Sequence, residues 1–167
     1  MTHTLTRSGW SRDLGSGALA VIAVAAAAFV GQLAIYPNFA PWYAGLAKPS
    51  FNPPNWVFAP VWSILYVLMA IAVWRILRLP QVSAARRLAL SLFFMQLALN
   101  AAWTWMFFGA NNPLLGLINI FPQILVILAT VVAFHRLDRM AAWCLVPLVA
   151  WVAFASVLNV AIWRLNG

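Results

Sequence analysis

Five long apolar stretches follow one another along the chain, and short polar segments separate them. They cover residues 16–36, 56–77, 84–108, 113–134 and 140–163. A helix needs about 20 apolar residues to cross the hydrocarbon core of a bilayer, and each stretch reaches that length. None of the stretches carries a charged residue in its interior. The pattern therefore predicts five transmembrane helices.

The polar segments between the stretches contain signals that end or start helices. Asn112 followed by Pro113 is a helix start, because asparagine caps the free N–H groups and proline suits the first helical position. The first stretch also resembles a signal peptide, but its long apolar run and the lack of a clear cleavage site favour a retained helix. We divide the chain into an N-terminal tail, residues 1–15, and a single five-helix membrane domain, residues 16–167.

Composition supports this interpretation. Hydrophobic residues make up 65% of the chain and charged residues 7%, whereas a soluble domain carries about 25% charged residues. This excludes a soluble globular protein and a disordered one. Asp13 and Asp138 are the only acidic residues, and Cys144 is the only cysteine. Paired-carboxylate catalysis, an internal disulfide and a CxxC metal site are therefore not expected. We predict an all-α integral membrane bundle with no metal site and no obligatory cofactor.

The net charge of +8 reflects basic residues that flank the predicted spans, so no nucleic-acid partner is expected. With five spans, one side of the membrane holds Arg7, Arg12, Arg75, Arg78, Arg86, Arg87, Arg136 and Arg139. The other side holds only Lys48 and Arg164. The positive-inside rule then predicts an inside N-terminus and an outside C-terminus. A bacterial inner or outer membrane is the expected location.

One long loop, residues 37–55, lies on the side with few charges. It contains five prolines and the aromatic residues Trp42, Tyr43 and Phe51. Proline fixes φ and lowers the entropy lost when a loop becomes ordered. Two interpretations stay open: a stiff lid on top of the bundle, or an aromatic belt at the membrane interface.

Polar and aromatic residues recur at helical spacing within four stretches. These stripes are Trp62 and Tyr66 with Met69 or Ala70; Gln96, Asn100 and Thr104 beside Trp103; Asn119 and Gln123; and Trp151, Ala155 and Asn159. If the stripes converge, they form an aromatic pocket with a few amide and hydroxyl groups, as in many small-molecule sites. Alternatively, the amides join neighbouring helices, at about 0.6 kcal/mol per contact. Three of the tryptophans lie away from the span ends, and indole faces suit a flat aromatic ligand.

Residues 42–54, WYAGLAKPSFNPP, resemble the WYxxLxKPxWxPP signature of the TspO/MBR family of tryptophan-rich sensory proteins and translocator proteins. The similarity covers residues 18–166 and continues through residues 57–62, 96–100 and 147–151. The chain departs from the family pattern at Phe51, where tryptophan is usual. It also has Val160 in place of the tyrosine of a proposed sterol motif, so we do not predict specific sterol binding.

The resemblance implies a five-helix membrane bundle that forms a homodimer and binds porphyrins such as protoporphyrin IX and haem. The family's pocket positions match Trp62, Tyr66, Asn100, Trp103 and Trp151. The long loop matches the family's lid, which adds Trp42 and Phe51 to the expected ligand-binding residues.

The resemblance leaves three functions to weigh. The first is a membrane receptor or sensor for tetrapyrroles, with a role in tetrapyrrole-linked regulation or transport. The second is light- and oxygen-dependent porphyrin degradation, with Trp62 and Trp151 as the reactive residues. The third is passive translocation of lipids or sterols. The expected partners are tetrapyrroles, other hydrophobic small molecules and membrane lipids.

Overall fold

The computed structural model describes the backbone of residues 7–167 and the side chains of residues 13–167. Five α-helices occupy this part of the chain: α1 (Arg7–Phe39), α2 (Asn55–Leu77), α3 (Ala84–Thr104), α4 (Pro113–His135) and α5 (Arg139–Asn166). Each is long and apolar enough to cross a membrane, and the described residues contain no strand. The predicted all-α bundle of five helices is confirmed.

Both ends of helix α1 differ from the predicted ones. Helix α1 begins at Arg7, within the predicted tail, and continues past Pro37 to Phe39. A proline in the last turn removes only one backbone hydrogen bond, so the helix ends within a few residues rather than at the proline itself. Residues 1–6 of the predicted tail, and the side chains of Arg7 and Arg12, lie outside the described residues.

The last part of the predicted third span is a π-helix, Trp105–Gly109, rather than an α-helix. The amide of Ala110 donates to the carbonyl of Trp105 at 2.8 Å, and the amide of Asn112 donates to that of Phe107 at 3.1 Å. Hydrogen bonds between residues five apart widen the turn, which marks this segment as locally irregular. Such π-turns are frequent at functional sites.

The five helices pack as a ring. Helix α1 contacts α2 and α3, α2 also contacts α5, and α4 lies between α5 and α3. Because each helix runs the length of the bundle once, the connections alternate between its two ends. One end holds the loop of residues 40–54, the π-helix and the C-terminal residues, with Lys48 and Arg164. The opposite end holds Arg75, Arg78, Arg86, Arg87, Arg136 and Arg139. The direction in which the bundle crosses the membrane remains a prediction.

Close packing and side-chain caps hold the ring together. Phe93 of α3 and Phe134 of α4 are fully buried and stack with ring centroids 5.8 Å apart. The predicted cap at Asn112 is confirmed, because its side chain accepts hydrogen bonds from the amides of Leu114 and Leu115. At the opposite end, Asp138 accepts a hydrogen bond from the amide of Ala141, which caps α5.

Asp138 also joins α5 to α2. Its Oδ2 atom lies 2.8 Å from Nη2 of Arg75 and accepts a hydrogen bond from Nε of Arg75 at 2.9 Å. Burial raises the pKa of this carboxyl group. The hydrogen bonds from Arg75 and Ala141 and the arginine charge lower the pKa by a larger amount, so the net pKa is below its ordinary value. The carboxylate therefore stabilises the folded state in its ionised form.

We expect Gly116→Ala to destabilise the bundle by about 1–3 kcal/mol through overpacking. A Cβ atom at this position would lie 2.8 Å from Cδ2 of Phe107 and 2.9 Å from Oδ1 of Asn159. Thermal unfolding in detergent measures the effect, and Gly15→Ala is the matched control because a Cβ atom there meets open space. Equal melting temperatures for wild type and Gly116→Ala would contradict the packing described above.

We expect Asp138→Asn to lower the melting temperature at neutral pH, because it removes the ion pair, worth about 1 kcal/mol, and keeps a capping side chain. A lowered carboxyl pKa contributes stability above the unfolded-state value of about 3.9, and this contribution disappears as the pH falls through the folded-state pKa. The stability advantage of wild type over the variant should therefore be full above about pH 5 and shrink progressively as the pH falls below about 4. Asp13→Asn, at an exposed carboxylate, is the control; a pH-independent difference for Asp138→Asn would refute the linkage.

Candidate functional site

Aromatic side chains from three α-helices, the π-helix and the loop lie between the loop end and the middle of the bundle. We call this group the aromatic site; it consists of Trp42, Phe51, Phe58, Trp62, Tyr66, Trp103, Phe107, Trp151 and Phe154. The predicted stripes on α2, α3 and α5 meet across the ring through side-chain contacts: α2 reaches α3 through a hydrogen bond between Tyr66 and Asn100, and α3 reaches α5 through one between Trp103 and Asn159.

The loop joins the aromatic site through Trp42. The indole of Trp103 on α3 stacks on Phe107 of the π-helix, with centroids 4.9 Å apart and planes 17° apart. The ring of Trp42 meets the same Phe107 edge-on at 5.3 Å. Beside them the buried Tyr43 lies 5.4 Å from Phe108. The loop therefore packs on the bundle rather than extending away from it, which is the arrangement expected of a lid.

A second set of contacts links the loop to α2 and α5. Phe58 of α2 meets Trp151 of α5 edge-on at 5.9 Å, and Trp151 lies 5.6 Å from Phe154. Phe51 of the loop contacts Phe154 at 6.5 Å and is 48% exposed. Phe51 thus forms the outer rim of the aromatic site, and Trp151 lies further inside.

Two hydrogen bonds supply the polar groups among these rings. The hydroxyl of Tyr66 donates to Oδ1 of the buried Asn100 at 3.3 Å, and the ring of Tyr66 lies 5.4 Å from that of Trp62. The indole N–H of Trp103 donates to Oδ1 of Asn159 at 3.2 Å. The described side chains therefore give the aromatic site amide and hydroxyl groups, with the ring faces as its main surface.

Asn159 also joins helices through two hydrogen bonds. While its oxygen accepts from Trp103 on α3, its Nδ2 atom donates to the carbonyl of Pro113 on α4 at 2.8 Å. One buried amide on α5 thus joins three helices. For this residue, the interpretation of the stripes as contacts between helices is correct.

Two other buried amides each have an oxygen atom without a hydrogen-bond partner among the described residues. Gln96 approaches the sulfur of Met69 through Nε2 at 3.7 Å, but its Oε1 atom has no hydrogen-bond partner among the described residues. The same is true of Oδ1 of Asn119. An unsatisfied buried polar atom costs about 1–3 kcal/mol. These two oxygens leave hydrogen-bonding capacity inside the bundle that helix packing alone does not use.

Lys48 connects several residues of the loop through hydrogen bonds. Its ammonium group donates to the carbonyls of Tyr43 at 2.7 Å, Ala44 at 3.3 Å and Leu46 at 3.1 Å, and lies 4.6 Å from the ring centroid of Tyr43. The lysine charge is thus satisfied by the loop's own backbone.

Burial raises the pKa of Tyr43, an effect that its hydrogen bond to Asn52 only partly offsets, so the hydroxyl stays protonated at neutral pH.

Two apolar grooves flank α2 on the outer surface of the bundle. The groove between α1 and α2 has a volume of about 420 Å³, and Tyr66 forms part of its wall. The groove between α2 and α5 measures about 360 Å³ and is bordered by Pro147, Ala150 and Trp151. Two residues of the aromatic site therefore also face the surface that the bilayer would cover.

All seven residues predicted to bind a ligand lie in the aromatic site or in contact with it. Their binding role remains a prediction. Phe58, Phe107 and Phe154 were not among them, although they stand three or four residues from Trp62, Trp103 and Trp151, a spacing that places them on the same helix faces. His135 lies in the last turn of α4 at the opposite end of the bundle.

Comparison with known proteins agrees with this architecture. The model of the TspO/MBR family matches residues 19–164. The tryptophan-rich protein TspO of Chlorobaculum tepidum is 42% identical over 131 residues, which cover 78% of this chain and 83% of that protein. The human translocator protein is 39% identical over 141 residues, covering 83% and 82% of the two chains. The tryptophan-rich sensory protein of Cereibacter sphaeroides is 38% identical over 125 residues, covering 75% and 77%.

Proposed function

The chain belongs to the TspO/MBR family of multi-pass membrane proteins, and on that premise we propose that it is a receptor or sensor that binds tetrapyrroles in the aromatic site. The observation that carries the proposal is that Trp62, Trp103 and Trp151, from three helices, all pack against one buried core. A tetrapyrrole is a flat aromatic ring system. Offset stacking on indole or phenyl rings contributes about 0.5–1.5 kcal/mol per pair beyond the area that it buries.

The polar groups of the aromatic site fit the centre and edge of such a ligand. Tyr66 and Asn100 already hydrogen-bond to each other, and an amide and a hydroxyl can exchange that bond for one to a pyrrole nitrogen or a ring substituent. A site without ionised side chains suits an apolar macrocycle, because a charge buried beside it would be costly to desolvate.

The described residues favour recognition of the macrocycle over recognition of a bound iron. An axial haem ligand is usually a histidine, cysteine, methionine or tyrosine. His135 and the aromatic site lie at opposite ends of the bundle, and the aromatic site, as the described residues form it, contains neither histidine nor cysteine. On this proposal, protoporphyrin IX and haem bind with similar affinity through stacking.

We expect Trp62→Ala and Trp151→Ala each to weaken protoporphyrin IX binding about two- to tenfold, because each variant removes one stacking surface. The measurement is a titration in the dark that follows quenching of tryptophan fluorescence. Trp143→Ala is the control, since this tryptophan on α5 is 64% exposed and lies near the opposite end of the bundle. Wild-type affinity in both site variants would disprove this assignment of the site.

A second function, light-dependent degradation of bound porphyrin, is favoured by the position of Trp151. This indole belongs to the aromatic site and also borders the groove between α2 and α5, so molecular oxygen dissolved in the bilayer can reach it. An excited porphyrin passes its energy to oxygen, the excited oxygen adds to the nearby indole as a peroxide, and this peroxide transfers an oxygen atom to the porphyrin ring.

Under illumination, the degradation hypothesis predicts an irreversible loss of porphyrin absorbance that is slower in Trp62→Phe/Trp151→Phe than in wild type. Phenylalanine keeps a stacking face but lacks the reactive indole. Absorbance of porphyrin-saturated protein is followed in air and under nitrogen, with an unlit sample as control. Equal bleaching rates in wild type and the double variant would exclude the two tryptophans as reactive groups.

A further inference from the structure

A single side chain fastens the outer part of the loop to helix α5. Oδ1 of Asn166 accepts a hydrogen bond from the amide of Ala47 at 2.9 Å, and Nδ2 of Asn166 donates to the carbonyl of Ala47, also at 2.9 Å. The two residues are 119 positions apart in the chain. The primary amide of Asn166 therefore pairs with both backbone groups of one loop residue, as a neighbouring strand would.

Ala47 belongs to a part of the loop that several hydrogen bonds hold together. The next residue, Lys48, donates to the carbonyls of Tyr43 and Leu46, so residues 43–48 form one closed turn. Tyr43 anchors the inner side of that turn by packing on Phe107 and Phe108. Whatever holds Ala47 in place consequently holds the whole turn against the aromatic site.

The two attachments differ in strength. Tyr43 is buried and in contact with aromatic rings on several sides, whereas both hydrogen bonds between Asn166 and Ala47 are exposed. Water can take over the partners of an exposed hydrogen bond, so such a bond opens more readily than a buried aromatic contact. The contact with Asn166 is therefore the one that breaks first, and the turn would swing outward with Tyr43 as its fixed point.

We propose that Asn166 is a positioning residue that latches the loop over the aromatic site and thereby sets how fast a flat hydrophobic ligand enters and leaves. The role in ligand exchange rests on the proposed function, whereas the latch itself does not. The side chain also donates to the carbonyl of Ile162 in its own helix at 2.8 Å, which orients the amide toward the loop.

The first experiment needs no ligand. Hydrogen–deuterium exchange of the loop amides is measured by mass spectrometry in wild type, Asn166→Ala and Asn166→Asp. The peptide that contains Ala47 should exchange about tenfold faster in Asn166→Ala, as expected when a contact of about 1.4 kcal/mol is lost. Asn166→Asp keeps an acceptor for the Ala47 amide and should fall between the two.

Arg164→Ala is the matched control, because Arg164 is exposed at the same end of α5, two residues before Asn166. It should leave loop exchange at the wild-type rate. Thermal unfolding should be nearly unchanged in all variants, since Asn166 is not part of the buried core. Unchanged loop exchange in Asn166→Ala would overturn the latch.

The second experiment uses protoporphyrin IX as the probe and stopped-flow fluorescence in the dark. In Asn166→Ala, the association and dissociation rates should both rise about tenfold, while the dissociation constant changes less than about threefold. Faster loop exchange with unchanged ligand rates would overturn the role of the latch in ligand exchange. If wild type shows no saturable binding, the proposed function fails, and the exchange experiment still decides whether the latch exists.

Discussion

The hydrocarbon interior of a bilayer offers no hydrogen-bond partners, and most features of this structure follow from that constraint. Backbone groups must be satisfied within each segment, which only helices achieve in a chain of this pattern. Some buried polar side chains within the spans pair across helices, as Tyr66 does with Asn100 and Trp103 does with Asn159. The hydroxyls of Thr104, Thr130 and Ser156 donate instead to carbonyls of their own helices. Ionised groups remain at the ends, where Asp138 and Arg75 meet.

The same constraint determines what kind of binding site the bundle can contain. Burying a charge inside the bundle costs too much desolvation free energy, so a ligand there would be held by ring faces and by a few amides and hydroxyls. Binding strength then comes mainly from contact area, and selectivity from shape. On the proposed function, a flat ligand would gain more than a bulky one from stacking on Trp62, Trp103 and Trp151.

The sequence predicts the helices well because span length and the absence of interior charge are properties of each segment alone. It also predicts the Asn112 cap, which depends on two adjacent residues. The partners of the buried amides depend instead on the order α1–α2–α5–α4–α3 around the ring. Local spacing places Asn159 on a face with Trp151, but it does not indicate that Trp103 and Pro113 meet there. The π-helix and the folded-back Lys48 likewise depend on long-range packing.

Lys48 shows that a charged group at the loop end can stabilise the loop while the interior of the bundle stays uncharged. Its charge is satisfied by three loop carbonyls and the face of Tyr43. The ammonium group therefore stabilises the loop and is not an open site for an anionic ligand. Carboxylates of a bound tetrapyrrole would then be solvated by water at the rim near Phe51 while the macrocycle lies among the rings. In such a complex, stacking determines the affinity. The loop, which contributes few of those contacts, would then determine how often the site is open, as the proposed latch at Asn166 requires.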